Sequence, residues 1–444
     1  MITVTSRPDL FGQAAQEFDR AFSGDGAPRP FAERRQTARD HFAALGLPTK
    51  KLEAWKYTDL RPALKEDYAF LHGDGTSQID AADLDRFAIP GLGGDAGVAR
   101  LVVVNGAIVP GLSDLGAMPE GVTVGSLREA AEAGDSVITE YFGRFTETEH
   151  DAFAALNSAF DLDGYFVHVP KNTEVETPLH VIHLVEHDGP AFVQTRHLIV
   201  AEDNARVRVV ESYVSLADNS RQFGNHLTEI AAGPGSNVRH VRIQDEGETA
   251  HQVTTVNVYQ DRDTEVSTHT FTFASGTVRN NTAAALDGPG SNHIVGGLYI
   301  LHGSQHVDTH TLIDHQAPSC ESNELFKGIV YDKSTGVFNG KVYVARPAQQ
   351  TNAYQQSQGV VLSPDAKHFS KPELEIYADD VKCSHGSTTG AIDKEALFYL
   401  RARGISYEDA RALLLYAFAH DVVEELEDEA LQAYLDARIA TRLK

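Results

Sequence analysis

Between Gly164 and about Val381 the chain repeats one short unit, a Gly/Asn/Asp/Pro corner followed by an alternating, β-branched run. Two copies share the corner GPGSN, Gly233–Asn237 and Gly288–Asn292, and lead into VRHVRI and HIVGGLYI. Looser copies begin at Glu174 (EVETPLHVIHL), Asn204 (NARVRVVESY), Asp263 (DTEVSTHTFTF), Thr335 (TGVFNGKVYV) and Ala366 (AKHFSKPELEI). Their starts stand roughly 30 residues apart, with one wider gap before Thr335. No unit of that size can bury its own apolar face, and stacking on a neighbour buries it. A sandwich or jelly roll also gives short, regular strands, but it needs frequent Asn-Gly or Gly-Asn hairpins. This region has Asn339-Gly340, Gly224-Asn225 and few others. The pattern favours a parallel β-helix.

The flanks read differently. From Pro8 to Leu47, Phe11, Ala14, Phe18, Phe22, Phe31 and Phe42 are spaced among charges, and Gly46 with Pro48 closes a helical stretch. ARLVVVNGAIVP then predicts a hairpin turning at Asn105-Gly106, and helices are expected near Ser126–Ala133 and Asp151–Phe160. Residues 1–150 are therefore expected to form a mixed α/β, largely helical domain, residues 151–384 the β-helix, and residues 385–444 a helical domain. In the last segment Asp393 can cap DKEALFYLRAR, with Gly404 as its stop. Ser406 and Asp409 open a second helix, and DEALQAYLDARIATRL makes a third. Capping of the solenoid accounts for part of their apolar character. Phe398, Tyr399, Leu400, Leu415 and Tyr416 exceed that need and suggest a face for a partner.

The charge is −25, from 63 acidic and 38 basic residues, which disfavours nucleic acid or an anionic membrane as main partner. No apolar run approaches a membrane span, and MITVTSRPDLFGQ lacks the pattern of a secretory signal. Two cysteines, Cys320 and Cys383, make no disulfide framework, so a cytoplasmic location is expected. The chain contains no GxxxxGK[ST], HExxH, CxxC or GxSxG. His306 and His310 stand four apart; away from a helix they are read as ordinary strand or turn residues not sharing a face, and His180 and His183 likewise. Cys320 reads as structural. Cys383-Ser384-His385 is different: on an extended segment a thiolate and an imidazole two apart project together, one soft and one borderline ligand for iron or zinc. Two ligands leave a site open for another chain. A packed cysteine beside a carbonyl-bonded histidine fits the same spacing.

KPELEIYADDVKCSHGSTTGAIDKEALFYLRARGIS (371–406) closely resembles the signature of the SufB/SufD family, scaffold subunits of the SUF iron–sulfur cluster assembly system. The likeness continues through DHQAPSCESNELFKGIV, GVFNGKVYVARPAQQTNAYQQ, KKLEAWKYTDL (50–60) and LNSAFDLDGYFVHVPKN. The wording is closer to SufD than to SufB chains, since no cysteine lies between Glu373 and Val381, where SufB chains usually carry one. The resemblance implies a right-handed parallel β-helix and a non-catalytic scaffold rather than an enzyme. It implies pairing with a SufB-like paralogue at His385 and Cys383, transient metal ligands, and docking of a SufC-like ABC ATPase on Phe398, Tyr399, Leu400, Arg403, Gly404 and Ile405. No intrinsic cofactor is expected, only a transient iron–sulfur cluster at the interface with SufB, and a homodimer in isolation is compatible. The alternatives are a SufB-like or homodimeric scaffold and a β-helix or cupin-like metalloenzyme.

Overall fold

The computed structural model describes residues 10–21, 31–217 and 220–443. Pro8 and Phe22, placed above in the first helical stretch, lie outside them. Two sheets of ten strands each run through the molecule. Successive strands of the repeating region alternate between the sheets, so each strand pairs with the second one before and after it. The pairing is parallel throughout: Asn237 stands opposite Glu265, Glu265 opposite Asn292, then Glu321, Asn352 and Lys382. This is the stacked β-solenoid that the repeat implied, and its rungs recur at the expected interval.

The corners explain the repeated motif. Asn172, Asn204, Gly235, Asp263, Gly290, Ser319 and Gln350 each adopt a left-handed backbone conformation, with φ between 57° and 77°. Each occupies the same place on its rung. Their N–H groups donate to the next rung's corner: Asn204 to Pro234 O (2.8 Å), Gly235 to Arg262 O (3.0 Å), Asp263 to Pro289 O (2.9 Å) and Ser319 to Gln349 O (2.9 Å). Glycine, Asn and Asp tolerate this conformation best, which accounts for their recurrence. The following residue forms a second column, Ser236, Thr264, Ser291, Cys320 and Thr351. Ser291 Oγ donates to Gly288 O at 2.9 Å and Thr351 Oγ1 to Ala348 O at 2.9 Å. Cys320 puts its thiol in that hydroxyl position, 3.4 Å from Gly288 O. Its structural role is thereby explained.

One rung escaped the repeat reading. The strand Glu321–Val330 fills the wider gap, while Thr335–Val344 and Lys367–Ile376 belong to the other sheet. Strands from the N-terminal segment extend both sheets: Ala99–Val104 pairs in parallel with Leu179–Leu184, and Thr123–Ser126 antiparallel with Tyr165–Val169. The predicted hairpin is present, with Asn105 (φ 51°) and Gly106 (φ 84°) at its turn.

Apolar residues such as Val181, Val209, Ile230, Val256, Ile313 and Val342 fill the space between the sheets. The outer faces are covered too. Helices Leu10–Ala21, Ala32–Leu45 and Ala152–Ala159 pack with Trp55 against Phe192, Phe223 and Val253 of one sheet. On the other sheet Leu415, Ala419, Val422, Leu435 and Ile439, from helices Tyr407–Val423 and Glu429–Arg442, bury Ile243, Phe271, Phe273, Leu298 and Ile300. Burial of each such side chain contributes roughly 1.5–3 kcal/mol, enough to hold short helices that would not persist alone. Ion pairs tie these helices to separate rungs: Arg208–Asp428 (2.9 Å), His269–Glu425 (3.3 Å), Lys327–Asp421 and Arg438–Asp245. Among the described residues no helix is long and apolar enough to cross a membrane.

Candidate functional site

The solenoid ends in an open rung. Lys367–Ile376 and Val381–Gly390, ten residues each, are the terminal strands of their sheets. The expected boundary between residues 384 and 385 falls inside the second of them, and helix begins only at Lys394. Cys383 pairs in register with Ala353, and His385 with Gln355. Ala353 and Gln355 are buried between the sheets, so Cys383 and His385 stand on the inward side of the last rung. Period-two alternation brings the two together, as their spacing predicts. Cys383 is half-buried against the core, and burial pushes its thiol up. His385 is exposed. Among the described residues no third His, Cys, Asp or Glu completes a metal-holding group with them. Ile376 and Tyr377, at the end of the first terminal strand, and Tyr354, on the strand paired with the second, are exposed large apolar side chains.

The KKLEAWKYTDL element reaches the same end from outside. Tyr57 stacks on Phe369 with ring centres 4.4 Å apart, and Glu53 lies 3.8 Å from Lys371. Trp55 covers the Arg279 guanidinium at 4.5 Å, which donates to Asp308 at 2.8 Å. Thr58 bonds His306 Nε2 at 2.8 Å and donates to Asp308, while His310 Nε2 is 3.1 Å from that carboxylate. His306, Asp308 and His310 thus share one face of their strand, contrary to the sequence expectation, because alternate residues of a strand point the same way. Burial alone would raise the Asp308 carboxyl, but Arg279, His310 and Thr58 hold it well below the usual range. The cluster anchors the N-terminal element.

The residues expected to dock a partner lie together at the end of one helix, with Phe398, Tyr399, Arg403 and Gly404 exposed. Helix Lys394–Ala402, capped by Asp393, buries none of its residues. Phe398 is 73% and Tyr399 56% exposed, with Tyr407 and Leu413 nearby in sequence also exposed. Arg403 lies over the Tyr399 ring at 4.3 Å, Gly404 ends the helix at φ 89°, and Leu400 and Ile405 are partly covered.

A second cluster, not singled out by the sequence, lies inside the early rungs. Glu211 is fully buried. It accepts from Tyr165 Oη (2.9 Å), His183 Nε2 (3.2 Å), His240 Nε2 (2.8 Å) and Tyr213 Oη (3.3 Å), with Arg242 Nε at 3.6 Å. Burial would raise this carboxyl, yet the His183 and His240 bonds and the Arg242 charge hold it well below the usual range. His183, His197 and Glu211 offer ligand atoms within 4.8 Å of one another, a spacing a metal could bridge. The hydrogen bonds oppose that use. Tyr165 N–H donates to His197 Nδ1 (3.0 Å), so Nε2 carries the ring proton and donates to Thr195 Oγ1 (2.8 Å), which donates onward to His226 Nδ1 (2.8 Å). The cluster is a hydrogen-bonded polar core with one carboxylate at its centre, although His183 Nδ1 and two Arg242 nitrogens in it have no hydrogen-bond partner among the described residues. Its sequence signal is the inward alternation of Glu211 and Tyr213 after Val207 and Val209, which on an open sheet would be read as solvent-facing.

Fold and site define a β-solenoid protein with an open terminal rung that carries Cys383 and His385, followed by a helix with exposed aromatic residues. Residues 183–418 match the family described as SUF system FeS cluster assembly, SufBD core domain, and residues 9–181 match the SufBD protein N-terminal region. The chain is 34% identical to an iron–sulfur cluster assembly SufBD family protein of Synechocystis, over 92% of this chain and 90% of that protein. It is 31% identical to the iron–sulfur cluster assembly protein SufD of Escherichia coli, over 97% of both. SufD of Bacillus subtilis is 28% identical over 73% of this chain and 75% of its own length. The chain belongs to the SufBD family of the SUF iron–sulfur cluster assembly system.

Proposed function

We propose that this chain is a SufD-type, non-catalytic subunit that pairs through its open rung with a SufB-like paralogue and carries a SufC-like ABC ATPase on its C-terminal helices. The open rung carries this reading. Two ten-residue strands left as open edges are a liability that pairing with another chain removes. Cys383 and His385 on the inward side supply two ligands, and a partner rung closing on them would supply the rest. The iron–sulfur cluster is cargo here, held briefly between two chains, and His385 is the more accessible of the two ligands. The absence of a P-loop motif fits ATP hydrolysis in a partner. Approach of two ATPase subunits would load the patch around Phe398 to Ile405. That load would pass through the ion-paired helices to the sheet, provided ATP binds the two states unequally.

The test has two arms. A tagged chain purified from its host should bring down an ABC ATPase and a paralogous scaffold; recovery only as a homodimer would favour a self-paired scaffold instead. His385→Ala should leave the complex assembled while cluster formation fails. Full cluster supply in that variant would remove His385 from the site.

A further inference from the structure

Glu324, Gln355 and His385 stand in one in-register column, Glu324 opposite Gln355 and Gln355 opposite His385. In parallel pairing such residues point the same way from strands about 4.8 Å apart. Glu324 and Gln355 are buried, at 3% and 1% exposure. Both oxygens of Glu324 are engaged: Oε2 accepts from Thr311 Oγ1 at 2.6 Å, and Oε1 accepts from Gln355 Nε2 at 2.8 Å. That second bond pins the planar amide and turns its carbonyl oxygen away from Glu324. Gly340 on the facing sheet makes room for this arrangement, since a Cβ there would stand 2.5 Å from Gln355 Nε2. Gln355 Oε1 is buried and has no partner. A buried acceptor left unpaired is costly, and the next side chain in the column is the His385 imidazole. Gln355 and His385 also line the same recess at the open end.

We propose that Gln355, held by Glu324, is a positioning residue for His385: a turn of the neighbouring imidazole lets the free Oε1 accept one ring N–H, fixing the tautomer and leaving the other nitrogen free for iron. This rests on His385 being a cluster ligand. The physical precedent is general, because a metal-binding histidine commonly donates its second ring N–H to an oxygen that sets ring orientation and basicity. Gln355 does not touch the metal; it acts through His385.

Ring ¹⁵N shifts of the full-length chain, with the His385 signal identified by its loss in His385→Ala, report the tautomer directly. One tautomer should dominate in the native chain and in Gln355→Glu, which keeps an acceptor oxygen. Gln355→Leu should show the mixed tautomers of a solvated imidazole, and cluster formation by the reconstituted complex should fall 10–100-fold. Should Gln355→Leu fold poorly, Gly340→Ala displaces the amide from the facing sheet and should give the same mixture. An unchanged single tautomer in the folded variant overturns the proposal. A fixed tautomer that depends on Gln355, alongside normal cluster supply in His385→Ala, supports the contact while removing the cluster role.

Discussion

Lowering the pH from 7 to 5 should destabilise the chain steeply, with net proton uptake on unfolding. Burial depresses six histidines: His72, His180, His251, His315 and His368 to about 4, and His293 to about 3. Each is neutral when folded and takes up a proton when unfolded below its ordinary value near 6.5. Its contribution is present above that value and is lost as pH falls toward 4. Over the interval from pH 7 to 5 one such group loses about 1.8 kcal/mol, and six lose about 11. Glu246 and Glu324 work in the opposite direction. Burial raises both to about 7, so their stabilisation is full below about 4.5 and is lost as pH rises to 7. Together they return about 4 kcal/mol over the same interval, which leaves a net loss of about 7. Other buried groups fall on both sides, with His197 and His226 depressed and Asp161 and Asp163 raised. The net loss is comparable to the whole stability of an ordinary domain. Urea unfolding followed by circular dichroism at pH 7, 6 and 5, with proton uptake read in weak buffer, measures it. Uptake of about three to four protons is expected near pH 5.5. A midpoint that stays flat or rises on acidification would refute the buried-neutral histidines.

Three further outcomes follow from other parts of the structure. Glu211→Ala strands Arg242 and four donors inside the solenoid, so chemical unfolding should show a loss of about 3–5 kcal/mol. Cys320→Ser places in the corner column the hydroxyl that the neighbouring rungs already carry, and its unfolding free energy should change by less than about 1 kcal/mol. Phe398→Asp with Tyr399→Asp should leave stability within about 0.5 kcal/mol, because both side chains are largely exposed and Tyr399 touches the exposed Arg403, which an Asp can pair with, while weakening capture of the ATPase at least about 30-fold in a binding assay.

The solenoid was legible because its corners repeat a backbone requirement: a left-handed residue every rung selects Gly, Asn or Asp, and that selection survives as GPGSN and its variants. Where Ser319 takes the left-handed position and Cys320 the hydroxyl position, the motif disappears, and the strand Glu321–Val330 went with it. The partnership of Cys383 and His385 was legible from alternation alone. Their inward direction was not, since it depends on the register with Ala353 and Gln355. Glu211 and His240 are polar residues at positions an isolated strand would offer to water, and only the second sheet makes them interior. His306 and His310 show the converse: a four-residue spacing was credited to helices alone, although the period of two in a strand puts the same pair on one face.

Five ion pairs from the last two helices and the turn between them land on strands Arg206–Val214, Asn237–Asp245, Glu265–Ala274 and Glu321–Val330, two of them on Asn237–Asp245. Among the described residues none lands on Thr351–Val361 or Val381–Gly390, the two strands nearest the mouth in that sheet. The ion pairs therefore act as a splint over the middle of the spring, while its last coils are held by apolar packing through Val360 and Leu362. A torque on the helices would then turn the ion-paired coils together and leave the give to the end that carries His385.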